Sequence, residues 1–273
     1  MSAPVSDAVD GFRMPLLEHL RELRDRLVVS IITIAICVFV AFFFANEIWD
    51  VLVAPMNVAL EGRGEGTSTM AITDPLEGVF TYLKVAVLAG FFVSTPVVFH
   101  QLWMFIAPGL YDTERRMVIP LMLASTSLFL GGAAFGYFVI FRYGFEFFLS
   151  VIDPETAAVI SINSYLLTAT KLLVAFGACF QLPVVVFFLA RIGLIDARDM
   201  IKSFRYAIVA IFCISAFITP PDPLTQLLMA GPLVTLYGVG IGIAAIFSTK
   251  KKRLAAVAAA ALEEESPDGF IKG

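Results

Sequence analysis

Trp103-Met-Phe-Ile-Ala-Pro-Gly-Leu-Tyr-Asp-Thr-Glu-Arg-Arg116 decides how this chain is read. Two long apolar runs meet here. Proline disfavours helix in the residue before it and glycine tolerates positive φ, so Ala107-Pro108-Gly109 reads as a fixed turn. Tyr111, Asp112, Glu114, Arg115 and Arg116 follow at once, the densest polar chemistry in an otherwise apolar chain. Such a stretch is a connector between membrane helices, placed where lipid gives way to water.

Composition agrees with that reading. Of 273 residues, 59% are hydrophobic and 15% charged, with a mean hydropathy of +0.88. A soluble domain carries about 45–50% apolar and about 25% charged residues. The fold class expected is therefore an all-α integral membrane protein. The net charge of -4 is segregated by loop and points to no nucleic-acid partner. Cys37, Cys179 and Cys213 lie inside apolar runs, and His19 and His100 are the only histidines, so neither a disulfide framework nor a metal site is expected. No cofactor is implied.

Working outward, residues 1–13 are small and polar without an apolar core and read as a disordered tail, not a cleavable signal. From Met14, Leu16, Leu20, Leu23 and Leu27 recur at helical spacing, while Glu18, Arg21, Glu22, Arg24 and Asp25 fill the other face. That pattern predicts an amphipathic helix at the membrane interface. A first span follows over 27–45, then a mixed stretch over 46–78 that contains Pro55 and, at Thr67–Thr73, a segment suited to extended structure. The second span, 80–105, is interrupted by Pro96, whose missing N–H frees the carbonyl of Phe92 and predicts a kink.

The third span, 117–141, carries Gly131, Gly132 and Gly136, which invite close backbone approach. The fourth, 165–190, holds Lys171 in its first turns and Gln181 before Pro183, too deep to snorkel. The fifth apolar run, 206–218, is short for a hydrocarbon core of about 30 Å and meets Thr219-Pro-Pro-Asp-Pro223 before a sixth run over 224–247. A soluble tail occupies 248–273. Arg13, Arg21, Arg24, Arg26, Arg115, Arg116, Arg191, Arg198, Lys202, Arg205 and Lys250–Arg253 fall on one side of these spans, and only Arg63 and Arg142 on the other. The positive-inside rule then places both termini in the cytoplasm.

Three polar sites stand out. Glu22 and Glu114, with arginines nearby, are paired carboxylates able to accept planar guanidinium forks, or else partners for their own neighbours. Gln181 is an amide in hydrocarbon that gates, binds a partner or ties two helices together. Asp222, with Thr219 and Gln226, sits at the tight far-side turn, where an acid between prolines is often a turn or cap residue.

The segments at 16–26, 105–116, 175–184 (Ala-Phe-Gly-Ala-Cys-Phe-Gln-Leu-Pro-Val) and 219–222 (Thr-Pro-Pro-Asp) together resemble the TatC family, the multispanning subunit of the twin-arginine protein translocase, over 14–247. The resemblance implies a cupped bundle of six transmembrane helices with short fifth and sixth members, in a bacterial-type inner membrane. It implies recognition of twin-arginine signal peptides on folded cargo and export by the proton-motive force. It also implies single-span TatA-type and TatB-type partners in an oligomeric complex, and no enzymatic centre. Signal recognition falls on Glu22, Arg24, Phe105, Leu110 and Glu114, the cap-loop proline on Pro55, and the far-side polar positions on Asp222 and Gln226. The intramembrane polar position is Gln181, where some members carry Glu, which puts a titrating carboxyl there in doubt. Two rivals are an ion-coupled small-molecule transporter built around Lys84, Lys171 and Gln181, and an intramembrane enzyme using His100 with Cys179 or Ser94.

Overall fold

The structure, a computed structural model, describes residues 6–62, 68–72, 76–106, 118–151, 153, 158–218 and 226–246. The chain forms two compact units, Met1–Val174 and Ala175–Gly273. Among the described residues, five helical stretches are long and apolar enough to cross a membrane: Leu17–Phe42, Glu77–Ile106, Val118–Val151, Ile162–Ile192 and Gln226–Ile246.

The first unit opens with α1 (Ser6–Phe42), followed by α2 (Ala45–Glu61), strand β1 (Ser68–Ala71) and α3 (Glu77–Ile106). Then come α4 (Val118–Phe135), a π-helical turn over Gly136–Phe141, α5 (Arg142–Val151), strand β2 (Ala158–Ser161) and α6 (Ile162–Cys179), in which the boundary between the units falls. The amphipathic segment expected from Met14 is not a separate interfacial element. It runs unbroken into the first span, and the helix already begins at Ser6. Leu20, Leu23 and Leu27 of its apolar stripe stay exposed, so these positions are not consumed inside the protein.

Helices α1 and α3 run antiparallel, with His19 against Phe105 at one end and Arg26 against Gln101 a little further along. Towards the other end a glycine sets their distance. A Cβ on Gly90 would lie 2.5 Å from both the nitrogen and the Cα of Val38, which no side chain tolerates. The close approach predicted for Gly131 is not made there, because a Cβ on Gly131 meets nothing within 4 Å. Phe91, Phe92 and Phe99 of α3 pack on Phe129 of α4, and the buried Trp103 indole donates to Ser125 Oγ at 2.9 Å, fixing the end of α3 that carries Gln101 and Phe105.

Pro96 and Pro55, each inside a helix, are each answered by a hydroxyl. Pro96 frees the Phe92 carbonyl, and Thr95 Oγ1, one residue away, donates to it at 2.7 Å. Pro55 frees the Val51 carbonyl of α2, and here the donor is Tyr137 from the π-helical turn, while Tyr165 of α6 donates to the next carbonyl, Leu52. Pro55 thus gives α2 a point of attachment to two later helices. The extended stretch expected around Thr67–Thr73 is β1, and it pairs in parallel with β2 from Ser68↔Ala158 to Ala71↔Ser161.

In the second unit, α7 (Leu182–Ile192), α8 (Ala197–Lys202), α9 (Phe204–Ile218) and α10 (Gln226–Ile246) follow α6. The fourth apolar run is broken at Phe180-Gln181, where Pro183 occupies the first turn of a new helix. Gly193 ends α7 at φ 84°, with the N–H groups of Gly193 and Leu194 donating to Ala190 and Leu189. Asp196 then caps α8 by accepting from Ala197 N at 3.0 Å. Val186, Ala190, Ala197, Met200 and Ala244 form a buried core, and the Tyr237 hydroxyl closes it on the Met200 carbonyl at 3.0 Å. With 15 residues, α9 is about 22 Å long and shorter than a bilayer core, as its sequence led one to expect.

Candidate functional site

A groove of about 490 Å³ lies between the first part of α1 and the end of α3, lined by Glu18, Arg21, Glu22, Asp25, Arg26, Val29 and Gln101. Helical periodicity puts Glu18, Glu22 and Arg26 in one row along α1. Glu22 and Arg26 are half-buried, with side chains 30% and 22% exposed. Arg26 donates Nε and Nη2 to one carboxylate oxygen, Glu22 Oε1, at 2.9 and 2.6 Å, and Nη1 to Gln101 Oε1 of α3 at 3.3 Å. The other oxygen of Glu22, Oε2, accepts no bond among the described residues. One turn back along α1, the His19 ring stacks on Phe105 with centroids 4.4 Å apart, so Phe105 closes the same end of the helix pair.

Of the residues expected for signal recognition, the fold brings Glu22 and Phe105 to the α1–α3 pair. Arg24 is elsewhere: it donates to Asp25 in an exposed ion pair and does not line the groove. Leu110, Glu114 and Asp222 lie outside the described residues. Arg26 and Gln101 were not singled out by sequence reasoning. The Glu22-to-Arg26 spacing of one helical turn was the available signal for the first, and no local pattern marks the second.

At the opposite end of α3, about 35 Å away along the helix, a second carboxylate is organised differently. Glu77 is buried, 7% exposed, at the start of α3. Its Oε1 accepts Ser161 Oγ–H at 2.9 Å and the backbone N–H of Asn163, so it caps the first turn of α6 from outside that helix. Lys84 donates to Asn163 Oδ1, and Thr81 Oγ1 to the Glu77 carbonyl at 2.7 Å. Lys84 is thereby committed to this end, and Ser94 spends its hydroxyl on the Phe91 carbonyl. In the second unit, Gln181 is half-buried at the α6–α7 break, and Gln226 Nε2 donates to the Phe212 carbonyl at 2.9 Å, tying α10 to α9.

The family model described as Sec-independent protein translocase protein (TatC) matches residues 18–232. The chain is 44% identical to the Sec-independent protein translocase protein TatC of Desulforapulum autotrophicum, over 88% of this chain and 87% of that one. It is 43% identical to the protein of the same name from Campylobacter jejuni, over 83% and 91%. A crystal structure of the twin arginine translocase receptor TatC superposes with a TM-score of 0.75 at 36% identity, covering 84% of this chain and 99% of that one. With its apolar helices and its place in a translocase, this is a multi-pass membrane protein of protein transport, and it belongs to the TatC family.

Proposed function

We propose that this chain is the signal-receptor subunit of a twin-arginine translocase in a bacterial inner membrane. Both termini face the cytoplasm, it works with TatA-type and TatB-type single-span partners, and export of folded cargo draws on the proton-motive force. It acts as a transport protein and not as an enzyme. The observation that carries the receptor reading is the α1–α3 groove, in which Glu22 has one carboxylate oxygen held and the other open, with Phe105 stacked on His19 one turn back along α1. A twin-arginine signal brings planar cations, and a carboxylate is the side chain that takes them with the strongest and most directional hydrogen bonds. Glu114, on the loop that continues from Phe105, supplies the second carboxylate in this reading. The small-molecule transporter alternative draws no support from the family relationship.

The test is photo-crosslinking from position 105 to a signal peptide bearing Arg-Arg or Lys-Lys, repeated in the Glu22→Ala, Glu114→Ala double variant at matched abundance. Crosslinks that prefer Arg-Arg and vanish in the double variant support the reading. Equal crosslinking of both peptides, or full retention in the double variant, would place recognition elsewhere. Gln181 is proposed as a contact to a partner helix. Gln181→Leu should weaken co-purification of the TatB-type subunit only partly, since intramembrane side-chain hydrogen bonds average about 0.6 kcal/mol. Unchanged co-purification would reduce it to packing.

A further inference from the structure

We propose that Arg26 is a positioning residue for recognition: it holds the Glu22 carboxylate so that Oε2 meets the incoming guanidinium in a fixed orientation. This inference rests on the twin-arginine reading of the groove. A free glutamate on a helix surface turns about three side-chain torsions and presents its oxygens in no set direction. Here both Arg26 donors grip the same oxygen, Oε1, and the third bond carries the grip across to Gln101 on α3. Oε1 is therefore pinned by a guanidinium anchored on both helices, which narrows where Oε2 can sit and leaves it open toward a groove whose lining carries three acids, Glu18, Glu22 and Asp25, against two bases, Arg21 and Arg26.

Two further features favour a positioning role over a competitor that merely fills the site. Arg26 is the more buried of the pair, so it supports Glu22 from the protein side. Its guanidinium is also shared with Gln101, and a residue shared in this way is anchored, not poised to leave. Preorganisation of this kind raises selectivity more than bulk attraction. A guanidinium that needs a particular oxygen direction gains from it, while an ammonium, which bonds from any direction, gains little.

The experiment replaces Arg26 by Lys, which keeps the charge and the one-turn spacing but cannot grip one oxygen with two donors and reach Gln101 as well. Binding of Arg-Arg and Lys-Lys signal peptides is measured on purified, full-length protein in detergent, beside wild type and the Glu22→Ala, Glu114→Ala double variant. The expected result for Arg26→Lys is a fall of about ten-fold in affinity for Arg-Arg with Lys-Lys binding unchanged, so that the preference shrinks. Unchanged or tighter Arg-Arg binding would overturn the proposal and make Arg26 a competitor or a bystander. An equal loss for both peptides would overturn it too, showing that Arg26 only holds the helices. If the double variant keeps both affinity and preference, the failure lies in the twin-arginine reading itself. If the double variant loses them while Arg26→Lys does not, only the positioning role falls.

Discussion

Helix α3 carries a carboxylate network at each end, and the two ends are built on opposite terms. At the groove, Glu22 is half-exposed, paired with an arginine one turn away on its own helix, and one of its oxygens is open. At the start of α3, Glu77 is buried and bonded to the first turn of α6, which the chain reaches only after two more spans. A half-buried pair one helical turn apart contributes only about 1 kcal/mol to the fold, and the acceptor oxygen it leaves open suits a surface that has to receive something. A buried acceptor that satisfies a backbone N–H is costly to lose, which suits a fixture. The same side-chain chemistry leaves an open acceptor at one end and makes a clasp at the other because burial and sequence separation differ.

The sharpest way to break this contrast is Glu77→Ala, which strips the acceptor from Ser161 and Asn163. We expect a loss of about 2–3 kcal/mol in thermal unfolding in detergent. A variant as stable as wild type would mean that the far-side network holds nothing. Next in size is Gly90→Ala, which forces a methyl onto the backbone of Val38 and should cost about 1–3 kcal/mol. Since Gly90 lies between the two networks, this change should also weaken signal-peptide binding at the groove, and a purely local stability loss would show that the ends are not coupled through the α1–α3 seam. Tyr137→Phe removes one neutral hydrogen bond to the carbonyl freed by Pro55, for about 1 kcal/mol, and an effect of Glu77 size would mean that α2 is held mainly here. Smallest should be Glu22→Gln, within about 1 kcal/mol in the same unfolding assay while signal binding falls. A large stability loss there would make Glu22 a clasp as well.

These comparisons also show where sequence reading succeeds. Runs of apolar residues long enough for a bilayer announced the spans, and the carbonyl freed by Pro96 was predictable because its cause and its answer, Thr95, are neighbours. Glu22 was singled out, and its one-turn partner Arg26 was visible in spacing alone. What stayed hidden is non-local or rotational. Helix α3 is apolar on all sides, so no periodicity marks its inward face, and nothing in the sequence ranks Gly90 above Gly131. The Tyr137 donor and the Ser161–Asn163 partners of Glu77 lie some 85 residues from the groups they satisfy. Fine placement of Leu110, Glu114 and Asp222 lies outside the described residues.

The parallel pairing of β1 with β2 carries a consequence for biogenesis. Parallel strands cannot be joined by a tight turn, and here the connection contains two helical stretches long and apolar enough to cross a membrane, α3 and the run from α4 through α5 (Val118–Val151). With polypeptide made at about 5–20 residues per second, β1 emerges on the order of ten seconds before the strand it needs. During that interval its edge is unsatisfied and available to a chaperone or to a wrong strand. Closure of this small sheet is therefore a late checkpoint: it forms only when both intervening helices have been inserted with the orientation that returns the chain to the same side of the membrane.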